Sequence, residues 1–209
     1  MMDRFNGARL RLTLVEIDPA PWREIVVRTS MTLARLHEAI QAVFCWYDYH
    51  LWAFEVGDKH YGPEMEDADP PVLSARNARL RTLIARGVEN FHYVYDFGDY
   101  WRVEIQLLDT LHVEDAERLP RFLGGAHAAP PEDIGGPPGY AHFLEVLNDP
   151  KHPDREDYAQ LFEMALGGDF DPRDIQEDVI GGLLSRVARK KPAAPKRRGE
   201  WRFRNDPGG

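Results

Sequence analysis

The sequence predicts an α+β protein in which a mixed, ubiquitin-like β-grasp-type sheet curls around one amphipathic helix, with an added strand and C-terminal helices. Two period-two segments and one helical stripe predict it. Residues Arg9 to Ile17 alternate polar and apolar, the pattern of a half-buried strand. Leu33, Leu36, Ile40, Val43 and Phe44 keep the three-to-four-residue spacing of one helix face. Phe91, Tyr93, Tyr95 and Phe97 share a strand face, answered by Trp101, Val103, Ile105 and Leu107 on the next strand.

The remaining elements follow in chain order. Asp18-Pro19-Ala20-Pro21 turns the chain, because proline fixes φ and offers no N–H to a ladder, and Trp22 to Arg28 returns as the second strand. Thr32 stands where a helix N-cap belongs. After the polar-aromatic corner Trp46-Tyr47-Asp48-Tyr49-His50, Leu51 to Val56 is a strand, and Gly57-Asp58 turns it into Lys59-His60-Tyr61-Gly62. Residues 63–79 read as a loop and Leu80 to Ile84 as a short helix. Gly98-Asp99 has the glycine-first order of a two-residue type II′ turn. From residue 113, repeated Gly and Pro (Gly124, Gly125, Pro130, Pro131, Gly135 to Gly139) read as one long loop. Three helical patterns follow. Tyr140, Phe143, Leu144 and Leu147 make the first, stopped at Asn148-Asp149-Pro150. Tyr158, Leu161, Phe162 and Ala165 make the second, closed by Gly167-Gly168. The third runs from about Asp174 to Ser185 with Ile175, Val179, Ile180, Leu183 and Leu184 inward. The expected organisation is a core over 1–112, a loop and helical extension over 113–185 packed on it, and a basic, disordered tail over 186–209.

Composition bounds the function. The chain has 209 residues, 43% hydrophobic and 11% aromatic, enough for one sizeable core. No apolar run is long enough for a membrane span, and residues 1–11 lack the apolar segment of a signal peptide, so no membrane partner and a cytoplasmic location are expected. The lone Cys45 excludes an internal disulfide and a cysteine-built zinc site, and reads as a buried thiol. Charge is divided. Residues 1–185 carry 17 Lys and Arg against 33 Asp and Glu, a net of −16, whereas residues 186–209 carry nine basic residues against two acidic ones. A body this acidic repels nucleic acid at long range, leaving only the tail (Arg189, Lys190, Lys191, Lys196, Arg197, Arg198) for phosphate contact.

Several short segments in order resemble a known family. They are Pro21-Trp22-Arg23, Thr32-Leu33, Leu36-His37, Ile40-Gln41, His50-Leu51, Tyr95-Asp96-Phe97-Gly98-Asp99 with Trp101, Pro130-Pro131-Glu132-Asp133, Gly135-Gly136, Gly139-Tyr140, Phe143-Leu144, Asp149-Pro150 and Phe170-Asp171-Pro172. Over roughly residues 9–180 the series resembles the plasmid pRiA ORF-three-like family, also labelled insertion-element passenger or TnpR-family proteins. The resemblance implies a stand-alone accessory protein of plasmid or mobile-element type and supplies no biochemical activity. A resolvase-like label attached to some members finds no serine-recombinase arrangement here. Many relatives carry cysteines where this chain has Phe122 and Ala129, so no metal or redox role can run through those positions.

Two groups of residues could carry chemistry. Asp96, Asp99, Glu132 and Asp133, joined by His50 or His37, offer the oxygen-rich donors that a divalent cation takes. The competing structural reading is that acids at turns accept backbone N–H bonds. Trp46, Tyr49, His50 and Tyr140 are the candidate binding residues, with Trp46 and Tyr49 expected at the surface, against the ordinary role of aromatics as core. Gly135 to Gly139 lacks the lysine of a phosphate-binding loop and reads as a helix entry. The leading functional expectation is an accessory module that binds a protein or small ligand without a cofactor. The alternatives are a divalent-metal-assisted hydrolase or nuclease, and nucleic-acid association through the tail.

Overall fold

The computed structural model describes residues 5–64, 70–159 and 170–189. Alternation in the first strands has the expected consequence. β1 (Gly7–Leu14) and β2 (Trp22–Arg28) pair antiparallel, with Leu10 opposite Ile25 and Thr13 opposite Trp22. Ala8, Leu10, Leu12 and Leu14 all face inward and are fully buried. α1 (Leu33–Phe44) begins at Thr32, whose hydroxyl accepts the Arg35 N–H at 3.3 Å, and ends at Cys45, whose left-handed backbone returns its N–H to Gln41. Cys45 is thus a helix terminator, half-buried, with its thiol pKa pushed up chiefly by desolvation.

β3 (Trp52–Val56) and β4 (Lys59–Gly62) form the second hairpin, and β6 (Asn90–Tyr95) and β7 (Trp101–Leu111) the third. Between them lie a three-residue strand, β5 (Val72–Ser74), inside a stretch that reads as loop, and the short helix α2 (Leu80–Ala85). The eight strands run β5-β4-β3-β6-β7-β1-β2-β8, every pair antiparallel except β4–β5. The added strand β7 lies inside the sheet, between β6 and β1, where its eleven residues satisfy ladders on both sides and bury Trp101, Val103 and Ile105.

Two turn readings are corrected. The β6–β7 connection is not a two-residue Gly98-Asp99 turn but a five-residue loop, Asp96 to Tyr100, since Tyr95 pairs with Trp101. Asp96 organises it: its Oδ1 accepts the Gly98 N–H at 2.9 Å and its carbonyl accepts the Tyr100 N–H. A local side-chain acceptor outcompetes the generic glycine turn, and Phe97 leaves the strand for solvent. Likewise the stretch after residue 113 is not all loop. β8 (Arg121–Ala126) pairs with β2, and a Cβ at Gly125 would meet the Trp22 carbonyl oxygen at 2.6 Å, so glycine here serves close strand approach.

α3 (Gly136–Asn148) follows, then a helical start at residues 155–159. The rest of the second helical pattern, with Leu161, Phe162, Ala165 and Gly167-Gly168, lies outside the described residues. α4 is Glu177–Arg189, three residues later than expected, because Asp174 caps a turn at Gln176 instead of opening the helix. Its buried face is Ile180, Leu184 and Val187, while Val179 is exposed. The core lies between α1 and one sheet face, with α4 packed on α1 and Tyr140 and Phe143 of α3 in the same cluster. Arg23, 1% exposed, ties this layer together by donating to the carbonyls of Val43, Trp22, Ala126 and His127. Burial lowers its pKa to about 10. Among the described residues no helix is long and apolar enough to cross a membrane.

Candidate metal centre

Three connections meet at one end of the sheet: the corner after α1, the Asp96 loop and the segment after β8. Trp46 makes the junction rigid. Its indole N–H donates to the Pro130 carbonyl at 3.1 Å, and its ring stacks on Phe44 and Tyr95. Glu132 and Asp133 follow the two prolines, whose fixed φ limits the paths open to the chain. Asp96 and Asp133 both adopt left-handed backbone conformations, φ 56° and 58°, which Asp tolerates better than most residues.

Around His50 three carboxylates converge. Its Nε2 lies 3.1 Å from Asp133 Oδ1, 3.6 Å from Asp96 Oδ2 and 3.6 Å from Glu132 Oε2. Despite this proximity Nε2 makes no hydrogen bond among the described residues, and neither does Glu132 Oε2; both atoms are buried. The second oxygens of Asp96 and Glu132 are occupied. Asp96 Oδ1 holds Gly98, while Glu132 Oε1 accepts the Tyr95 hydroxyl at 3.0 Å and the Tyr47 N–H. Tyr95 Oη also accepts the Tyr49 N–H at 3.0 Å. Desolvation, then the Glu132 charge, pushes the Tyr95 pKa well up, so its phenol remains a donor.

This division of labour is that of a ligand shell: one oxygen oriented by the protein, the other left free toward a common point. Donor atoms of His50, Asp96 and Asp133 all lie within 4.8 Å of one another. Ligands held about 2.0–2.2 Å from one cation stand roughly 3–4 Å apart, and the 3.1 and 3.6 Å separations of His50 Nε2 from Asp133 and Asp96 fall in that range. Three carboxylates, one of them on a side chain 8% exposed, meet here without a Lys or Arg among the described salt bridges to neutralise them. Asp133, 73% exposed, keeps one side open to solvent, where an open groove of about 290 Å³ is lined by Asp133, Ile134, Asp157 and Tyr158.

The matched family is described as plasmid pRiA4b ORF-3-like protein, over residues 6–179. The chain belongs to this family. This pRiA4b ORF-3-like chain is similar to an uncharacterized protein of Sinorhizobium fredii, 37% identical over 164 residues, 78% of this chain and 82% of the relative. It is also similar to the crystal structure of a protein of unknown function from Methanosarcina mazei Go1, with a TM-score of 0.71 at 37% identity, covering 80% of this chain and 93% of that one. The Asp96 loop, the Pro-Pro-Glu-Asp segment and His50 all fall inside the family match.

The candidate residues are sorted by the fold. His50, Asp96, Glu132 and Asp133 come together. Asp99 does not join them: its Oδ2 accepts the Gly135 N–H, and its carbonyl lies against Gly136 at the entry to α3. Trp46 is not a surface residue but 6% exposed, because its ring is needed to clamp the junction. Tyr140 is likewise core, 2% exposed, so neither offers a binding face. Tyr49 is exposed as expected. His37 is interior, between Tyr93 Oη at 2.7 Å and Asp48 Oδ1 at 3.0 Å. The expected disordered tail does not begin at residue 186: residues 186–189 form the last turn of α4, with Arg186 and Arg189 in it and Val187 packed in the core, whereas Lys190, Lys191, Lys196, Arg197 and Arg198 lie outside the described residues. The supporting roles of Tyr47 and Tyr95 escape sequence reasoning, since Glu132 is 85 and 37 positions away from them.

Proposed function

We propose that the protein is a divalent-metal-dependent hydrolase with His50, Asp96 and Asp133 as ligands and Glu132 as general base. The observation that carries this reading is the pair of buried atoms without a hydrogen bond among the described residues, His50 Nε2 and Glu132 Oε2, 3.6 Å apart beside two further carboxylates. His50, Asp96 and Asp133 would hold the cation, which would supply Lewis-acid activation of water, and Glu132 Oε2 would accept a proton from that water and return it to the leaving group. An imidazole with carboxylates suits Mn²⁺ or Zn²⁺ better than Ca²⁺. Calorimetric titration of purified, chelator-treated protein tests it. One Mn²⁺ or Zn²⁺ should bind per chain, at least tenfold more weakly in His50→Ala and Asp96→Asn, and no detectable binding would overturn the reading. Glu132→Gln should still bind the ion.

The second reading is a plasmid-type accessory module that binds a protein or small ligand, supported by the stacked, exposed Tyr47 and Tyr49. Ligand capture by His50→Ala protein at wild-type strength would favour it. Nucleic-acid association is the third reading and rests on the tail sequence alone; removing residues 190–209 should then abolish salt-sensitive DNA retention. The β-grasp-type wrapping, with the extension on the same core, draws support from α1, whose buried face shares one cluster with the sheet and with residues of α3 and α4.

A further inference from the structure

Resting on the metal-centre reading, we infer that this site takes a substrate carrying an ammonium or guanidinium group rather than a phosphoester. The charge count carries the inference. Asp96, Glu132 and Asp133 contribute three negative charges, and one divalent cation leaves the centre net negative. The groove that opens from Asp133 adds Asp157, and residues 1–185 as a whole are net −16. An anionic substrate would meet like charge at the site and on approach, whereas a cation is attracted by both.

Tyr47 and Tyr49 supply a second, independent feature of the same polarity. Their rings stack at 5.6 Å and 18°, and they are 55% and 75% exposed. Exposed rings on a solvated turn are normally free to swing, yet this backbone is anchored: the Tyr47 N–H is held by Glu132 and the Tyr49 N–H by Tyr95 Oη. The backbone that carries the two stacked tyrosines is thereby held by the same residues that support the cluster. Aromatic faces attract cations, each exposed contact changing affinity by roughly two- to fivefold, so the platform and the carboxylates select the same sign of ligand.

The test uses the full chain loaded with Zn²⁺, and three probes followed by NMR titration: Nα-acetyl-arginine amide, its neutral isostere Nα-acetyl-citrulline amide, and AMP. The arginine probe should bind at least tenfold tighter than the citrulline probe, and AMP weakest. Asp157→Asn and Tyr49→Ala should each weaken the arginine probe by roughly two- to fivefold with one Zn²⁺ per chain retained. Equal binding of the arginine and citrulline probes, preference for AMP, or two ions per chain with a net positive centre would overturn the inference. The two readings fail separately. Metal-free protein that holds no ion but prefers the arginine probe sinks the hydrolase reading alone. Protein that binds one ion without discriminating the probes sinks the cation preference alone.

Discussion

Asp96 and Asp133 hold left-handed backbone conformations, and their carboxylates point at His50 beside the buried Glu132. Like charges in a partly desolvated cluster repel, so removing one of them should gain stability. Asp96→Asn keeps an oxygen for the Gly98 N–H, tolerates the backbone and removes one charge. It should raise the melting temperature of metal-free protein by about 2–4 °C, the shift expected for about 1 kcal/mol in a chain of this size, while weakening cation binding. Thermal melts with and without Mn²⁺ would show the two effects in opposite directions. Tyr95→Phe removes the donor to Glu132 and the acceptor for Tyr49. Leaving those groups unpartnered should cost about 1–3 kcal/mol in urea denaturation.

Among elements, Arg23 ties the joint between α1, β2 and β8. Its guanidinium satisfies the Val43 carbonyl near the end of α1 and the Ala126 and His127 carbonyls at the end of β8. Arg23→Met would match the stem and strand all of these acceptors, for a loss on the order of 3 kcal/mol or more in urea denaturation. The β1–β2 hairpin has a weaker, pH-dependent tie. Hydrogen bonding to Arg9 first, and also to Arg11, holds the Glu24 carboxyl below its ordinary pKa. That stabilisation is present above the unfolded-state pKa and is lost as pH falls through the lower folded value. Glu24→Gln should therefore lower stability near neutrality and flatten the acid limb of a stability-versus-pH curve, the two proteins converging at low pH.

For the molecule as a whole, cation binding at the proposed centre would be linked to folding, because the cluster exists only when three distant loops meet. Saturation with cation at about 100 times its Kd should add roughly 2.7 kcal/mol to stability. In thermal melts this increment should vanish in His50→Ala. The same assembly places the site at the sheet end where α3 begins, so Gly136 matters at long range: a Cβ there would meet the Asp99 carbonyl oxygen at 2.6 Å in a left-handed backbone.

Local periodicity settled much of this protein in advance. The strands of β1, β2, β6 and β7, the apolar face of α1 and its Thr32 cap are written in consecutive residues, because side-chain alternation and helical spacing are properties of neighbours. The acids at turns were also visible, as residue types awaiting a purpose. Folding alone decided that β7 lies inside the sheet, that glycines 124 and 125 belong to a strand, and that Asp99 is structural while Asp96, Glu132 and Asp133 share one imidazole. Those outcomes depend on which chain segments meet in space, and two residues 37 or 85 positions apart leave no mark on the local pattern of either.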